Sequence, residues 1–390
     1  MRYDSRVARQ SPSTNPFRYG DLALDEAFTD RADELRELES DIRNGQNVVI
    51  FAPRRYGKSS LVWKATQELI AADEVLVAHV DLMSTPSKEK LAEKLAKSIY
   101  EDVASPLLRV RERAIAVFRG LRVAPTITLD PEDGSLGFSF AASVRREDID
   151  ATLEKLLQLP AELGGGKRRV ALVFDEFQEI LSIDPGLPAL MRSIFQEQPE
   201  VAHVYLGSKR SMMERIFNDA NEPFWRSAKR TELGLIDPRL FEPFIAGRFK
   251  ATRRRVAPEA VAGVLAITHG HPYGTQELCY FLWEEVPEGA TAGLPELDRA
   301  VVKVLRSENA HFSRIWEKAA SSHRLVLQAL ADAPFRQLSE DVRRRHGLGG
   351  DATVRKALRT LIDDELVIRD ADGYRIAEPF LAEWVRRSQS

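Results

Sequence analysis

The sequence has little of the features that mark several large classes of protein. Its single cysteine, Cys279, excludes an internal disulfide and is typical of a reducing compartment. No apolar run approaches the roughly 18–20 residues that a membrane-spanning helix needs, and the opening segment MRYDSRVARQSPSTNPF lacks the apolar stretch of a secretory signal. The seven histidines do not have the spacing of a zinc site. We therefore expect a cytoplasmic protein.

A strong excess of charge of either sign is also missing. The chain of 390 residues has 56 Lys and Arg against 59 Asp and Glu, which gives a net charge of -3. This balance is not typical of a nucleic-acid-binding protein, although a local basic patch can occur in an acidic whole. The apolar fraction of 44% is that of an ordinary soluble protein, and the length predicts two or three compact units.

The order of the predicted elements in the first part of the chain indicates an α/β fold. Apolar runs of the buried-strand type alternate with amphipathic helical segments; these runs are NVVIFA, EVLVAHVDL, RVALVFDEF and VAHVYLGS. The alternation predicts a parallel sheet with crossover helices. The segment TITLDPEDGSLGFSF predicts a hairpin around Asp-Gly, inside an insertion over residues 105–145.

From about Asp237 the pattern changes to successive helices. Three predicted helices near the C-terminus, HRLVLQALADA, LSEDVRRRHG and DATVRKALRTLIDDELV, are followed by a predicted hairpin in LVIRDADGYRIAEPF, and this order is typical of a winged helix-turn-helix. We therefore predict a mobile leader over residues 1–24, an α/β core over 25–236, a helical lid over 237–288, a helical linker over 289–320 and a winged helix over 321–390.

The stretch APRRYGKSS predicts a phosphate-binding loop. In the usual pattern, G-x-x-x-x-G-K-[ST], the last three diagnostic positions are filled here by Gly57, Lys58 and Ser59, whereas Ala52 replaces the first glycine. A chance Gly-Lys in a polar loop is the alternative, but this loop follows a predicted buried strand and opens a predicted helix. Lys58 is predicted to reach the β- and γ-phosphates of a nucleotide, and Ser59 to bind Mg²⁺. A negative φ at Ala52 would make the missing glycine tolerable.

An acidic pair at the end of another predicted strand completes the pattern. Asp175 and Glu176 follow the apolar run VALVF, and the carboxyl ends of parallel strands are where α/β sheets bind ligands. Asp175 is predicted to hold Mg²⁺, and Glu176 to polarise the water that attacks the γ-phosphate. The intact pair favours an ATPase, which releases ADP and phosphate, over a protein that only binds the nucleotide.

Each of the further candidate site residues also has an ordinary structural explanation. Ser208, at the end of VAHVYLGS, is predicted to orient the attacking water, and the alternative is an N-cap of the next helix. Arg226 and Arg55 are candidates for stabilising transition-state charge, although many surface arginines are only solvated. The dipeptide His271-Pro272 opens a predicted lid helix that can face the nucleotide, and the alternative is a simple turn into that helix.

Taken in order, these motifs resemble those of the archaeal-type P-loop ATPase family, which is related to the STAND signalling ATPases and to the origin-recognition AAA+ ATPases. NPFRYG and AFTDRADELRELE resemble the family's leader, APRRYGKSSL its Walker A motif, LVFDEFQEI its Walker B motif, YLGSKRSMM its sensor strand, and HGHPYGTQEL its lid motif. The family has a glycine directly before the arginine that corresponds to Arg226, whereas this chain has Trp225 there. This difference leaves the role of Arg226 open. The nucleotide contacts that follow from the motifs and the resemblance together are Phe28, Arg31, Pro53, Arg54, Arg55, Tyr56, Gly57, Lys58, Ser59, Ser60, His271 and Pro272.

The predicted winged helix raises the question of a partner. Such domains place their third helix in the major groove of DNA, and here that helix has Arg355, Lys356 and Arg359. Basic and acidic residues are nearly equal in number over residues 321–390, so a surface for a protein is the competing interpretation. Three functions remain: an ATP-driven switch on DNA, a STAND-like ATPase that assembles or binds a protein in the ATP state, and a transcription regulator that binds nucleotide without turnover.

Overall fold

A computed structural model describes residues 14–23, 27–104, 108–123, 125–129, 136–140, 145–164, 168–334, 338–369 and 373–388. The chain forms two compact units, which are Arg31–Gly234 and the described residues within Met1–Asp30 and Leu235–Ser390. Within the described ranges, no helix combines the length and the apolar character needed to cross a membrane.

The first unit is an α/β unit. Its helices and strands, in chain order, are α1 Ala32–Arg43, β1 Val48–Phe51, α2 Lys58–Ala71, β2 Val75–Asp81, α3 Lys88–Ser98, α4 Leu108–Gly120, β3 Thr126–Leu129, β4 Leu136–Ser139, α5 Arg146–Gly164, β5 Arg169–Asp175, α6 Ile180–Ile183, α7 Leu187–Phe195, β6 Val201–Gly207, α8 Arg210–Asn218 and β7 Lys229–Glu232. A π-helical turn, Ile99–Ala104, follows α3, and a 3₁₀ turn, Phe177–Glu179, follows β5.

Five parallel strands form the sheet of this unit, in the order β2-β5-β6-β1-β7. All residues of β1 and β6 are buried, as expected for strands of a parallel sheet that is covered on both faces. The predicted parallel sheet is therefore confirmed. The register aligns Phe51 with Gly207 and Asp81 with Asp175, so the segments that follow β1, β5 and β6 begin at the same edge of the sheet.

Sequence reasoning predicts the insertion hairpin of this unit but not its edge strand. The strands of the predicted insertion hairpin, β3 and β4, pair antiparallel, while the Asp-Gly at its turn lies outside the described residues. The edge strand β7 was not predicted, because its sequence KRTE has no apolar run and its side chains are half-buried or exposed.

The second unit is mostly helical. Its elements are α9 Pro238–Ala251, β8 Arg255–Val256, α10 Pro258–Thr268, α11 Pro272–Glu284, β9 Thr291–Ala292, α12 Leu294–Lys318, α13 Ser321–Asp332, α14 Glu340–Arg345, α15 Asp351–Asp363, β10 Val367–Arg369, β11 Tyr374–Ile376 and α16 Pro379–Ser388. The helices α13 to α15 and the antiparallel pair β10 and β11 form the predicted winged helix. The last helix, α16, was not predicted.

A single hydrophobic core connects the parts of this unit. It includes Phe241 of α9, Leu278 of α11, Val304 of α12, Leu327 of α13 and Phe380 of α16. The segments predicted as lid, linker and winged helix therefore pack around one core. We expect them to move together when any one of them moves, because a close-packed interior does not deform continuously.

The described part of the leader is also anchored in this core. The side chain of Asn15 donates a hydrogen bond of 3.1 Å to the carbonyl oxygen of Tyr280, and Phe17 is buried against Phe249 with a ring-centroid distance of 5.5 Å. The prediction of a mobile leader over residues 1–24 is thus not met at Asn15 and Phe17, because the Phe17 ring is buried in the hydrophobic core of this unit. Residues 1–13 lie outside the described part of the chain.

Candidate functional site

The loop between β1 and α2 has the geometry of an anion site. Gly57 has a φ of 83°, in the left-handed region that glycine adopts freely, and it opens α2 without any side-chain cap among the described residues. The first amide groups of α2 lie at the positive end of the helix dipole, where an anion is favoured. The buried Lys58 ammonium donates to the carbonyl oxygens of Ala52 at 2.9 Å and Pro53 at 3.1 Å, so the loop folds around this charge.

The backbone at Ala52 explains why the missing glycine is tolerated. Ala52 is not among the residues of positive φ, whereas Arg55 in the same loop has a φ of 65°. A negative φ costs alanine little, since its Cβ is not forced against the following carbonyl group. The strained position of this loop is Arg55, for which a left-handed φ costs about 1–2 kcal/mol.

Ser59 and Asp175 supply the oxygen atoms that a hard divalent cation prefers. The Ser59 hydroxyl donates a hydrogen bond of 2.8 Å to Oδ2 of Asp175, and the amide of Glu176 donates one of 2.9 Å to Oδ1. Burial raises the pKa of Asp175 above its ordinary value, and the two hydrogen bonds oppose this only in part. A nearby cation would favour the ionised carboxylate, so this donor set fits Mg²⁺.

Glu176 is held through one of its two carboxylate oxygens. Oε2 accepts hydrogen bonds from the Ser208 hydroxyl at 2.7 Å and from Nε2 of Gln178 at 2.5 Å, whereas Oε1 accepts none from the described residues. Burial works to raise the pKa of Glu176, but these two hydrogen bonds and the charges of Lys58 and Arg54 outweigh it, so the pKa lies below its ordinary value. The carboxylate is therefore ionised at neutral pH.

Ser208 does not have the position of a helix cap, which was the structural alternative for it. Helix α8 begins at Arg210 with Lys209 at its N-cap position, so Ser208 does not cap this helix. Its buried hydroxyl instead donates to Glu176. Ser208 therefore acts on the carboxylate rather than on the backbone of the next helix.

Gln178 is the residue of this cluster that sequence reasoning missed. It lies in the 3₁₀ turn after β5, and its side chain is only 1% exposed. A polar residue two positions after Glu176, inside an otherwise apolar stretch, was a usable signal. Sequence reasoning misses its role, although Gln178 lies within LVFDEFQEI, because a glutamine does not titrate.

Comparison with known proteins identifies the family of the chain. A family model described as an ATPase domain predominantly from Archaea matches residues 28–272. The chain belongs to this ATPase family. A second model, described as a probable winged helix domain, matches residues 310–387.

Solved structures show the same fold. The Walker-type ATPase of Pyrococcus abyssi is 16% identical, with 93% of this chain and 97% of that chain covered and a TM-score of 0.65. The ORC2 protein of Aeropyrum pernix, in its ADPNP-ADP complexes, is 14% identical, with 92% of each chain covered and a TM-score of 0.52. At these identities the likeness establishes the fold alone. No curated protein matches the chain.

In this member of the ATPase family, Arg226 lies apart from the cluster at the ends of β5 and β6. It is exposed on the segment before β7, has a φ of 50°, and places its guanidinium 5.0 Å from the ring centroid of Trp225. Among the described residues, its side chain has no hydrogen bond or ion pair. The structure therefore does not bring Arg226 to Glu176 of the same chain.

Arg31 contacts the phosphate loop from the side of its backbone. Its buried guanidinium donates to the carbonyl oxygens of Gly234 at 2.7 Å and Tyr56 at 3.4 Å, and it pairs with Glu34 at 3.1 Å. These contacts connect the start of α1 to the loop. Tyr56 itself is buried, as is Ser60 on α2, whereas Arg54 and Arg55 are exposed and Pro53 is half-buried.

Phe28, His271 and Pro272 belong to the second unit. The Nδ1 atom of the buried His271 accepts a hydrogen bond of 3.0 Å from the amide of Gly274, and His271 is thereby the N-cap of α11. Pro272 is the first residue of that helix, where a proline is well tolerated. The simple turn into a helix, which was the alternative for this dipeptide, thus accounts for its geometry.

The three basic residues predicted to contact DNA are exposed on α15. Arg355 forms an ion pair with Asp351 one turn earlier, and Asp351 also pairs with Arg343 at 3.1 Å. Lys356 and Arg359 form no ion pair within the described part of the chain, and they lie three residues apart on one side of the helix.

Proposed function

We propose that this protein binds ATP with Mg²⁺, hydrolyses it, and couples the nucleotide state to DNA through its winged helix. The observation that carries the proposal is the arrangement of Ser59, Asp175, Glu176 and Ser208 around the N-terminus of α2, within hydrogen-bond distance of one another in successive pairs. A cluster that only bound a nucleotide would have no need of a second, ionised carboxylate beside the first.

Each residue has a role that its environment supports. Lys58 and the first amide groups of α2 bind the β- and γ-phosphates, while Ser59 and Asp175 hold Mg²⁺, which when bound neutralises charge on the phosphates. Glu176 takes a proton from the attacking water through Oε1, the oxygen that has no other described partner. The remaining proposed nucleotide contacts in the α/β unit are Arg31, Pro53, Arg54, Arg55, Tyr56, Gly57 and Ser60.

The direct test is phosphate release from Mg²⁺-ATP, measured with and without duplex DNA. Turnover that requires Mg²⁺ and that changes with DNA is the expected result, since one core joins the lid segment to the winged helix. Absence of turnover in both conditions would remove the enzymatic part of the proposal and leave the nucleotide-binding regulator.

The DNA contact is proposed on Lys356 and Arg359. Replacing either by alanine is expected to weaken duplex binding by a similar factor on every sequence and to reduce the slope of log K against log salt by about 1, because each releases one counterion from a phosphate. Filter binding over a salt series measures both quantities. Exposed Asp363 and Asp364 at the end of the same helix restrict the contact to a few phosphates, so we expect weak binding.

Arg239→Ala is the matched control for these two variants. Arg239 is equally exposed but lies at the start of α9, paired with Asp237 at 2.5 Å, and its removal should leave the salt slope unchanged. If the protein does not bind duplex DNA at low salt, or binds it without a salt slope, the winged helix does not contact phosphates.

The second candidate function is self-association through a protein surface in the ATP-bound state, and Trp225 favours it. This side chain is 44% exposed and stacks with Arg226, and tryptophan and arginine are the residues most enriched at interface hot spots. In the ATP-bound state, which Glu176→Gln should prolong, Trp225→Ala is expected to weaken self-association about 30-fold or more in light scattering. Leu240→Ala, which removes an isolated exposed apolar side chain, is the control. A monomer in every nucleotide state would count against this candidate.

A further inference from the structure

We propose that Gln178 is a positioning residue for hydrolysis, which fixes Oε2 of Glu176 so that Oε1 is the oxygen that takes the proton from water. This inference rests on the proposed ATPase activity and deepens it. Gln178 does not touch the phosphates in this scheme, and it acts only through the carboxylate.

Two donors from different elements converge on the same oxygen. Gln178 donates from the 3₁₀ turn that follows β5, at 2.5 Å, and Ser208 donates from the end of β6, at 2.7 Å. A single hydrogen bond leaves a carboxylate free to rotate about its last torsion, whereas two donors on one oxygen fix the plane of the group. The second oxygen is thereby left with its lone pairs in one defined direction, as a general base requires.

The orientation of the Gln178 amide is dictated by the charge of Glu176. An ionised carboxylate can only accept hydrogen bonds, so the NH₂ group of Gln178 must face it. The amide oxygen, Oε1, is then buried without a partner among the described residues. Burying this oxygen is unfavourable for folding, because the oxygen loses its hydrogen bonds to water and gains no hydrogen bond from a described residue. An apolar side chain of the same size would avoid the loss, which argues for a functional rather than a structural reason for this glutamine.

The neighbouring strand leaves room for this amide. A Cβ atom at Gly207 would lie 2.8 Å from Oε1 of Gln178 and 2.3 Å from Cγ of Met213. A side chain at this position would force Met213 or the Gln178 amide to move, so glycine at the end of β6 leaves the amide in contact with Glu176 undisturbed. The position next to Ser208 thus belongs to the same arrangement.

The chain contains a matched glutamine for comparison. Gln198 is also buried, donates one hydrogen bond of 3.1 Å from Nε2 to the carbonyl oxygen of Leu157, and has an amide oxygen without a partner among the described residues. It precedes β6, whereas Ser208 follows that strand, and its partner is backbone instead of a carboxylate. Gln198 therefore shares the burial and the unpaired oxygen but not the contact with Glu176.

The test is a comparison of Gln178→Met with Gln198→Met, since methionine keeps the size of glutamine and removes its donor. We expect Gln178→Met to lower kcat about 10–100-fold with little change in KM. The Tm should not fall, because a buried oxygen without a partner is removed. Gln198→Met should keep the wild-type kcat and KM.

A second readout is the coupling between the two donors that contact Oε2 of Glu176. Combining Ser208→Ala with Gln178→Met should give less than the product of the two single effects on kcat, because both donors act on one oxygen.

The outcomes separate this inference from the function on which it rests. A Gln178→Met variant with wild-type kcat overturns the positioning role, and so does a variant whose KM rises while kcat stays unchanged. If Gln178→Met does not fold, Gln178→Asn withdraws the amide by one methylene and must show the same loss of kcat. If the wild type shows no turnover, or if Glu176→Gln retains it, the ATPase proposal itself fails.

Discussion

Glu176→Gln is expected to lower phosphate release by about 10²–10⁴-fold while leaving ATP affinity nearly unchanged. Glutamine has the size of glutamate, and its amide oxygen can still accept the hydrogen bonds that Ser208 and Gln178 donate to Oε2. It cannot take a proton from water, so the loss falls on kcat rather than on binding. Single-turnover phosphate release gives the rate, and a fluorescent ATP analogue gives the affinity.

The neighbouring Glu179 provides the control for this variant. It is a half-buried glutamate three residues further along, and its Oε1 pairs with Nζ of Lys209 at 3.1 Å instead of contacting the cluster. Glu179→Gln should therefore change turnover by no more than about twofold, since a partly exposed ion pair contributes little. Turnover close to the wild type in Glu176→Gln would show that another group is the base and would remove the proposed mechanism.

The sequence predicts the central part of the site because its signals are local. Gly57, Lys58 and Ser59 are consecutive, and Asp175 and Glu176 end an unbroken apolar strand. A parallel sheet brings the ends of such strands to one edge without any further information. The hydrogen bond between Ser59 and Asp175 thus joins residues that are far apart in sequence but close by topology.

The parts that sequence reasoning missed depend on contacts between distant segments. Strand β7 has no apolar pattern, and it is a strand because β1 offers a free edge. Helix α16 and Phe17 are buried against helices that are distant in sequence. Gln178 acts only by orienting Glu176, and no sequence pattern predicts the positive φ of 52° at Glu176. Local motifs therefore identify the reacting groups, while the residues that orient them become visible only in the structure.

Asp175→Asn should have opposite effects on stability and on activity. Asparagine can keep both local hydrogen bonds, accepting from the Glu176 amide and donating to the Ser59 hydroxyl, so the fold is preserved. Because burial raises the pKa of Asp175, the ionised carboxylate destabilises the nucleotide-free protein at neutral pH, and the variant should unfold at a higher temperature. This advantage should shrink as pH falls through the raised pKa, since the wild-type carboxyl then becomes neutral as well. Without the anionic ligand, Mg²⁺ and ATP should no longer raise Tm, and turnover should fall about 10²–10³-fold.

Asp184→Asn is the control variant, with the opposite expected effects. It breaks the ion pair with Lys88 at 3.2 Å, so it should lower Tm and leave turnover unchanged. If Asp175→Asn were less stable than the wild type, the ionised carboxylate would not destabilise the nucleotide-free protein. If Mg²⁺-ATP still stabilised the variant, the metal would have to be held elsewhere.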